Sequence, residues 1–236
     1  MFFKKAPDGS VPAAQPKNEA QRVEALRSFA ILDTPDESLY DDLVTIASAI
    51  CQTPIALFTL IDSKRQWIKA RHGLEASETS RDAAFCAHTI LEPQPMVVHD
   101  ALQDPRFATN PFVLGDPNIR FYAGVPLVTP EGHALGTLCA LDRTPRTITS
   151  EQKEALAALG RQAMTQLELR RALIKMRAGM ASSASSQVPA PRSAREAPRT
   201  ETGDRAREML AQSDEMRNRI RDLLGKMEDI QKPPRK

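Results

Sequence analysis

Apolar residues recur along the chain in two rhythms, and the change of rhythm marks out the elements. Val23, Leu26 and Phe29 stand three residues apart and predict a short amphipathic helix over residues 20–30. Thr34-Pro35-Asp36-Glu37 has the form of a capping box with proline at the first helical position. The helix it opens carries Leu39, Leu43, Ile46 and Ile50 on one stripe, and Pro54 ends it. A period of two then takes over. Residues 55–61 form an apolar run rich in strand formers, closed by Asp62-Ser63, and residues 66–70 alternate and return as a hairpin ending near Gly73. Residues 83–91 read as a two-turn helix, 96–98 as a very short strand, and 100–118 as a loop with a helical turn. A second hairpin follows, its strands 119–128 and 135–141 joined through Pro130-Glu131-Gly132. Gly124, inside the first of these strands, marks a bulge or a close backbone approach. Thr149-Ser150-Glu151-Gln152 is another capping box, opening a long helix to about Met176 with Leu156, Leu159, Ala163, Leu167 and Ile174 near one face.

Hairpin-paired strands with helices gathered at the ends predict an α+β domain around one antiparallel sheet. The terminal helices can cover one face of that sheet. Residues 83–118 are left for the other, and a loop-covered sheet face is where small-molecule pockets form.

Composition bounds the rest. Of 236 residues, 41% are hydrophobic and 26% charged, with a net charge of +2, which excludes a strongly basic nucleic-acid binder. No apolar run reaches the roughly 18 residues a membrane span needs. Three scattered cysteines make no disulfide framework and fit a reducing, cytoplasmic setting. Prolines and small residues at the two ends divide the chain into a disordered arm over 1–18, one domain over 19–177, a disordered linker over 178–203 and an amphipathic helix over 204–232. In that last segment Met209, Met216, Ile220, Leu223, Met227 and Ile230 fall on alternating three- and four-residue steps, a coiled-coil seam. Residues 204–231 are therefore expected to self-associate or to dock on a protein partner.

Five ordered blocks resemble a known family: 22–35, 81–90, 104–111, 119–127 and 135–142. The stretch from Glu19 to Arg171 is similar to GAF domains of the kind found upstream of bacterial diguanylate cyclase and histidine kinase modules, here without an output domain. The resemblance implies a six-stranded antiparallel sheet, helices packed behind it and a ligand pocket on the other face. It also implies a non-enzymatic sensory or regulatory role in bacterial signal transduction, with dimerisation through the terminal helices. The ligand and any cofactor stay unnamed, because relatives bind cyclic nucleotides, tetrapyrroles, haem or small metabolites. Two alternatives stay open: a thiol-dependent reductase of the free methionine sulfoxide reductase type, and a ligand-free dimerisation scaffold.

Candidate chemistry centres on Phe85-Cys86-Ala87-His88. On a helix Cys86 and His88 point about 200° apart, too far to share a metal, and no second Cys/His pair stands at metal spacing. Cys51 falls late in a helix and Cys139 in an apolar strand, as inert core thiols, which leaves Cys86 near the pocket without a resolving partner. Asp104 and Arg106 read either as a cap and its ion pair or as part of a lid, with Phe107 as an apolar wall and Asn110 as an orienter. Phe121 and Tyr122 point to opposite faces, so at most one lines the pocket. The expected lining is Trp67, Phe85, Cys86, His88, Phe107, Asn110 and Tyr122, with no catalytic residue and no metal.

Overall fold

The computed structural model describes residues 6–185, with side chains to residue 179. The chain runs α1 (Glu19–Ser28), α2 (Ser38–Cys51), β1 (Ile55–Ile61), β2 (Arg65–His72), β3 (Glu78–Ser80) and α3 (Phe85–Thr89). It continues through β4 (Met96–Val98), α4 (Pro111–Leu114), β5 (Phe121–Val128), β6 (Ala134–Asp142) and α5 (Ser150–Ser185). The strands form one six-stranded sheet in the order β3-β2-β1-β6-β5-β4, every pair antiparallel.

Every residue of β1 is buried, so both faces of the sheet are covered. Side-chain alternation sorts the strands into two apolar layers. Ala56, Phe58, Leu60, Trp67, Phe121, Ala123, Leu138 and Ala140 join α1, α2 and α5 in one core. Ile55, Leu57, Ile68, Tyr122, Cys139 and Leu141 join α3 and the 98–119 segment in the other. In β2 the alternation is interrupted. Phe58 pairs with Ala70 and Thr59 with Ile68, so Lys69 is the extra residue of a β-bulge. Its ammonium group is fully buried on the helix side, bonded to Thr34 Oγ1 (3.0 Å) and Glu37 Oε1 (2.7 Å) and lying 5.3 Å from the Tyr40 ring centroid.

Several elements depart from the sequence-based expectation. The Thr34 capping box does not form: Thr34 Oγ1 donates to the Ile31 carbonyl (2.7 Å), and α2 starts at Ser38. The stripe of α2 is rotated by one residue. Tyr40, Val44, Ala47 and Cys51 are buried beside Leu43, whereas Leu39 and Ile46 are exposed. The Thr149 box does form, with Thr149 N to Gln152 Oε1 (3.1 Å) and Gln152 N to Thr149 Oγ1 (3.2 Å). Residues 6–18 are not a free arm. Ser10 and Val11 are buried, and the Gly9 carbonyl accepts from Thr109 Oγ1 (2.9 Å). Helix α5 runs on to Ser185, through the first residues of the expected linker. The rest of that linker, and the seam over 204–232, lie outside the described residues.

Glu19 fastens α1 to the approach to α3. Its carboxylate accepts from Arg22, itself only 1% exposed, at 2.8 Å, and from Arg81. Burial works to raise its pKa, but the two guanidinium groups outweigh burial and hold it at about 2, against an ordinary 4.5. A carboxyl group depressed in the folded state stabilises above its unfolded pKa and loses that contribution as the pH falls through the folded one. Glu19→Gln should therefore cost about 1–2 kcal/mol at neutral pH, discounted for partial exposure. In urea titrations the gap from wild type should close as the pH is lowered from 4.5 towards 2. A gap constant with pH would show that the pairing contributes nothing.

Candidate functional site

The sheet face opposite the long helices carries a cavity of about 660 Å³. Its floor is Ile55 and Leu57 of β1, Ile68 of β2, and Cys139 and Leu141 of β6. Phe85 and Cys86 of α3, Tyr122 of β5, and Phe112 and Ile119 form its walls. Arg71, His72, Glu75, Asp116 and Arg143 lie at charged or polar positions of the lining. The volume falls within the range of ordinary small-molecule sites.

Two polar features stand in this apolar setting. Gln66, 5% exposed, donates from Nε2 to Thr79 Oγ1 (3.1 Å), while its Oε1 is buried with no hydrogen-bond partner among the described residues. An unpaired buried amide oxygen costs about 1–3 kcal/mol. The second feature is a cluster at the contact of α3 with the sheet. Cys86 Sγ and Cys139 Sγ lie 3.8 Å apart. Tyr122 donates its hydroxyl to Cys86 Sγ (3.5 Å) and lies 2.7 Å from Thr89 Oγ1. Cys139 reaches the Leu57 carbonyl at 3.6 Å. Thr59 and Thr137, paired across β1 and β6 and fully buried, are 3.0 Å apart at their hydroxyls. Burial alone would raise the Cys86 thiol. Hydrogen bonds from Cys139, Thr137, Thr59 and Tyr122 outweigh that and hold it at about 7, whereas burial and the neighbouring Cys86 push Cys139 well up. Cys51 belongs to the opposite core, and burial raises its thiol to about 11.

The register explains why these groups meet. Cys139 pairs with Leu57 on one side and Gly124 on the other. Having no side chain, Gly124 leaves the space into which the Tyr122 ring folds back; a Cβ there would overlap the ring and its hydroxyl.

Of the expected lining, Phe85, Cys86 and Tyr122 border the cavity. The other four do not. Trp67 points to the helix side, because Gln66 and Ile68 take the cavity face of β2. Phe107 lies behind the wall, stacked on Phe85 with ring centroids 4.0 Å apart. His88 Nε2 donates to the Val11 carbonyl (3.0 Å) beneath the N-terminal segment, and burial lowers its pKa. Asn110 caps α4, accepting from Phe112 N (2.9 Å) and donating to the Ala83 carbonyl (2.8 Å). Asp104 and Arg106 pair with each other, the structural one of their two readings. Cys86 does have a partner, contrary to expectation, because β6 turns Cys139 towards α3. Of the missed residues, Gln66 had the clearest signal: one polar residue at a cavity-facing position of a strand whose next such position is Ile68.

This sheet, helical on one face and hollow on the other, defines a fold built to enclose a small molecule. The GAF domain family model matches residues 36–167, and the chain belongs to that family. It is 41% identical over 141 residues to a cyclic di-GMP phosphodiesterase of Pseudomonas aeruginosa, over 60% of this chain and 24% of that protein. The chain thus spans about a quarter of that relative's length. Solved structures similar to it include free methionine-R-sulfoxide reductase from Neisseria meningitidis, at 15% identity and TM-score 0.49, covering 73% of this chain and 98% of that one. Another is the GAF domain of an Acinetobacter phosphoenolpyruvate-protein phosphotransferase, at 16% identity and TM-score 0.48, covering 66% and 98%.

Gly124→Ala should destabilise the fold by about 1–3 kcal/mol, the usual cost of overpacking. Combined with Tyr122→Leu the loss should be smaller than the sum of the two single losses, as a double-mutant cycle measures for residues in contact. Strict additivity would mean that the ring does not occupy the space above Gly124.

Proposed function

We propose that the chain is a non-enzymatic regulatory module of bacterial signal transduction that binds a small molecule in the cavity over the sheet. The observation that carries this reading is the unpaired Gln66 oxygen in the lining of an apolar cavity. Such a group loses its penalty when a ligand N–H reaches it. The ligand is accordingly a partly apolar, flat molecule flanked by Phe85 and Tyr122, with an N–H donor on the edge that meets Gln66. The relative's name, a cyclic di-GMP phosphodiesterase, supports a setting in nucleotide signalling. Among the described residues, no helix is long and apolar enough to cross a membrane, and we place the module in the cytoplasm.

Native mass spectrometry of the full chain from its own cells should show a retained small molecule. Gln66→Leu should lose it while melting no lower than the ligand-free wild type, since the variant removes an unsatisfied buried oxygen. A variant that keeps the ligand, or a wild type that never carries one, overturns the reading.

The same proposal includes a homodimer through the terminal helices. On α5, Leu169, Leu173 and Met176 are exposed at steps of four and three residues, 55%, 46% and 64% accessible. That spacing makes a stripe suited to an identical partner helix. Leu173→Glu should shift the protein to monomer in light scattering at micromolar concentration and leave its far-ultraviolet dichroism unchanged. An unaltered mass would remove α5 from the interface.

A further inference from the structure

We propose that Cys86 and Cys139 are a redox-active dithiol, which a hydroperoxide entering the cavity converts to a disulfide bridging α3 and β6. Three observations carry this. The two sulfurs are 3.8 Å apart, with nothing between them. Both residues lie in the lining of the cavity, so a small oxidant that enters it meets them, although they are only 3% and 0% exposed to bulk solvent. The polar groups are arranged unequally: Cys86 Sγ accepts from the Tyr122 hydroxyl, whereas Cys139 directs its S–H at the Leu57 carbonyl. The first arrangement suits a thiolate and the second a thiol. The pKa values, about 7 for Cys86 and well raised for Cys139, run the same way.

Those roles fix the chemistry. The Cys86 thiolate attacks the terminal oxygen of the hydroperoxide, the O–O bond breaks, and the alkoxide leaves with a proton from water as the alcohol. Cys86 is then a sulfenic acid. Cys139 sulfur attacks the Cys86 sulfur, the S–O bond breaks, and hydroxide leaves with the Cys139 proton as water. Overall, two thiols and one hydroperoxide give one disulfide, one alcohol and one water. Two equivalents of a small thiol reverse it by exchange, leaving their own disulfide. Bond formation needs the sulfurs to close from 3.8 Å to about 2 Å. Helix α3, which carries Phe85, is thereby drawn towards β6, so the oxidation state sets the shape of the cavity wall.

The test is to treat the reduced full chain with hydrogen peroxide, alkylate the remaining thiols and map peptides without reduction. A Cys86–Cys139 cross-link within one chain is expected, with Cys51 alkylated and the intact mass lower by two hydrogens before alkylation. A small thiol should restore the starting mass. Cys51→Ser should behave as wild type. Cys139→Ala should instead accumulate a Cys86 sulfenic acid that dimedone traps, its fold checked by dichroism. The wild-type map decides the matter even if that variant does not fold. A cross-link to Cys51 or between chains overturns the proposal, as does sulfinic acid at Cys86 without a bridge. So do both cavity thiols remaining alkylatable once peroxide has oxidised the exposed methionines. None of these readouts depends on a ligand, so this proposal stands or falls apart from the binding reading.

Discussion

The structure depends on a sheet that is buried on both faces. Strands β1 and β6 have no solvent side, so each residue there is committed to one of two apolar layers. A slip of one residue between β1 and β6 would send Phe58 and Leu138 into the cavity and Leu57 and Cys139 among the helices. The register that prevents this is also the one that sets Cys139 between Leu57 and Gly124. The core and the candidate site are therefore consequences of a single pairing, not two separately built features.

That dependence explains what the sequence disclosed. Element type was legible where the pattern was long: the two hairpins, the long helix and the Thr149 box all form near their expected places. Orientation was not. Alternation says that Trp67 and Gln66 face opposite ways, but not which face is hollow, and Trp67 went to the helix side. Likewise the periodicity of α2 fits two overlapping stripes, and only tertiary contact, such as Tyr40 lying 5.1 Å from Phe58, selects the buried one.

The candidate site shows the same boundary more sharply. Phe85, Cys86 and Tyr122 were within reach of sequence reasoning, because they lie in blocks that carry the family likeness. His88 and Asn110 lie in the same blocks, yet they hold backbone: His88 bonds the N-terminal segment and Asn110 caps a helical turn. A polar residue that secures a loop and one that orients a ligand look alike until the hydrogen bonds are assigned. The contact of Cys86 with Cys139 spans 53 positions of chain, and no local pattern could announce it.

The bulge at Lys69 carries a further consequence. Because this residue is the surplus one, Gln66 and Ile68 before it and Arg71 after it all address the cavity, although an unbroken alternation would have put Arg71 on the side of Trp67. The reading frame of β2 is thus reset midway by one lysine. Loss of a single codon at this point would leave the strand the right length to pair, yet turn everything beyond it inside out: the guanidinium of Arg71 would be driven into the helical core and Ala70 into the hollow. In this strand a one-residue deletion is a more drastic genetic event than many substitutions, and the length of β2 is as much inherited information as its composition.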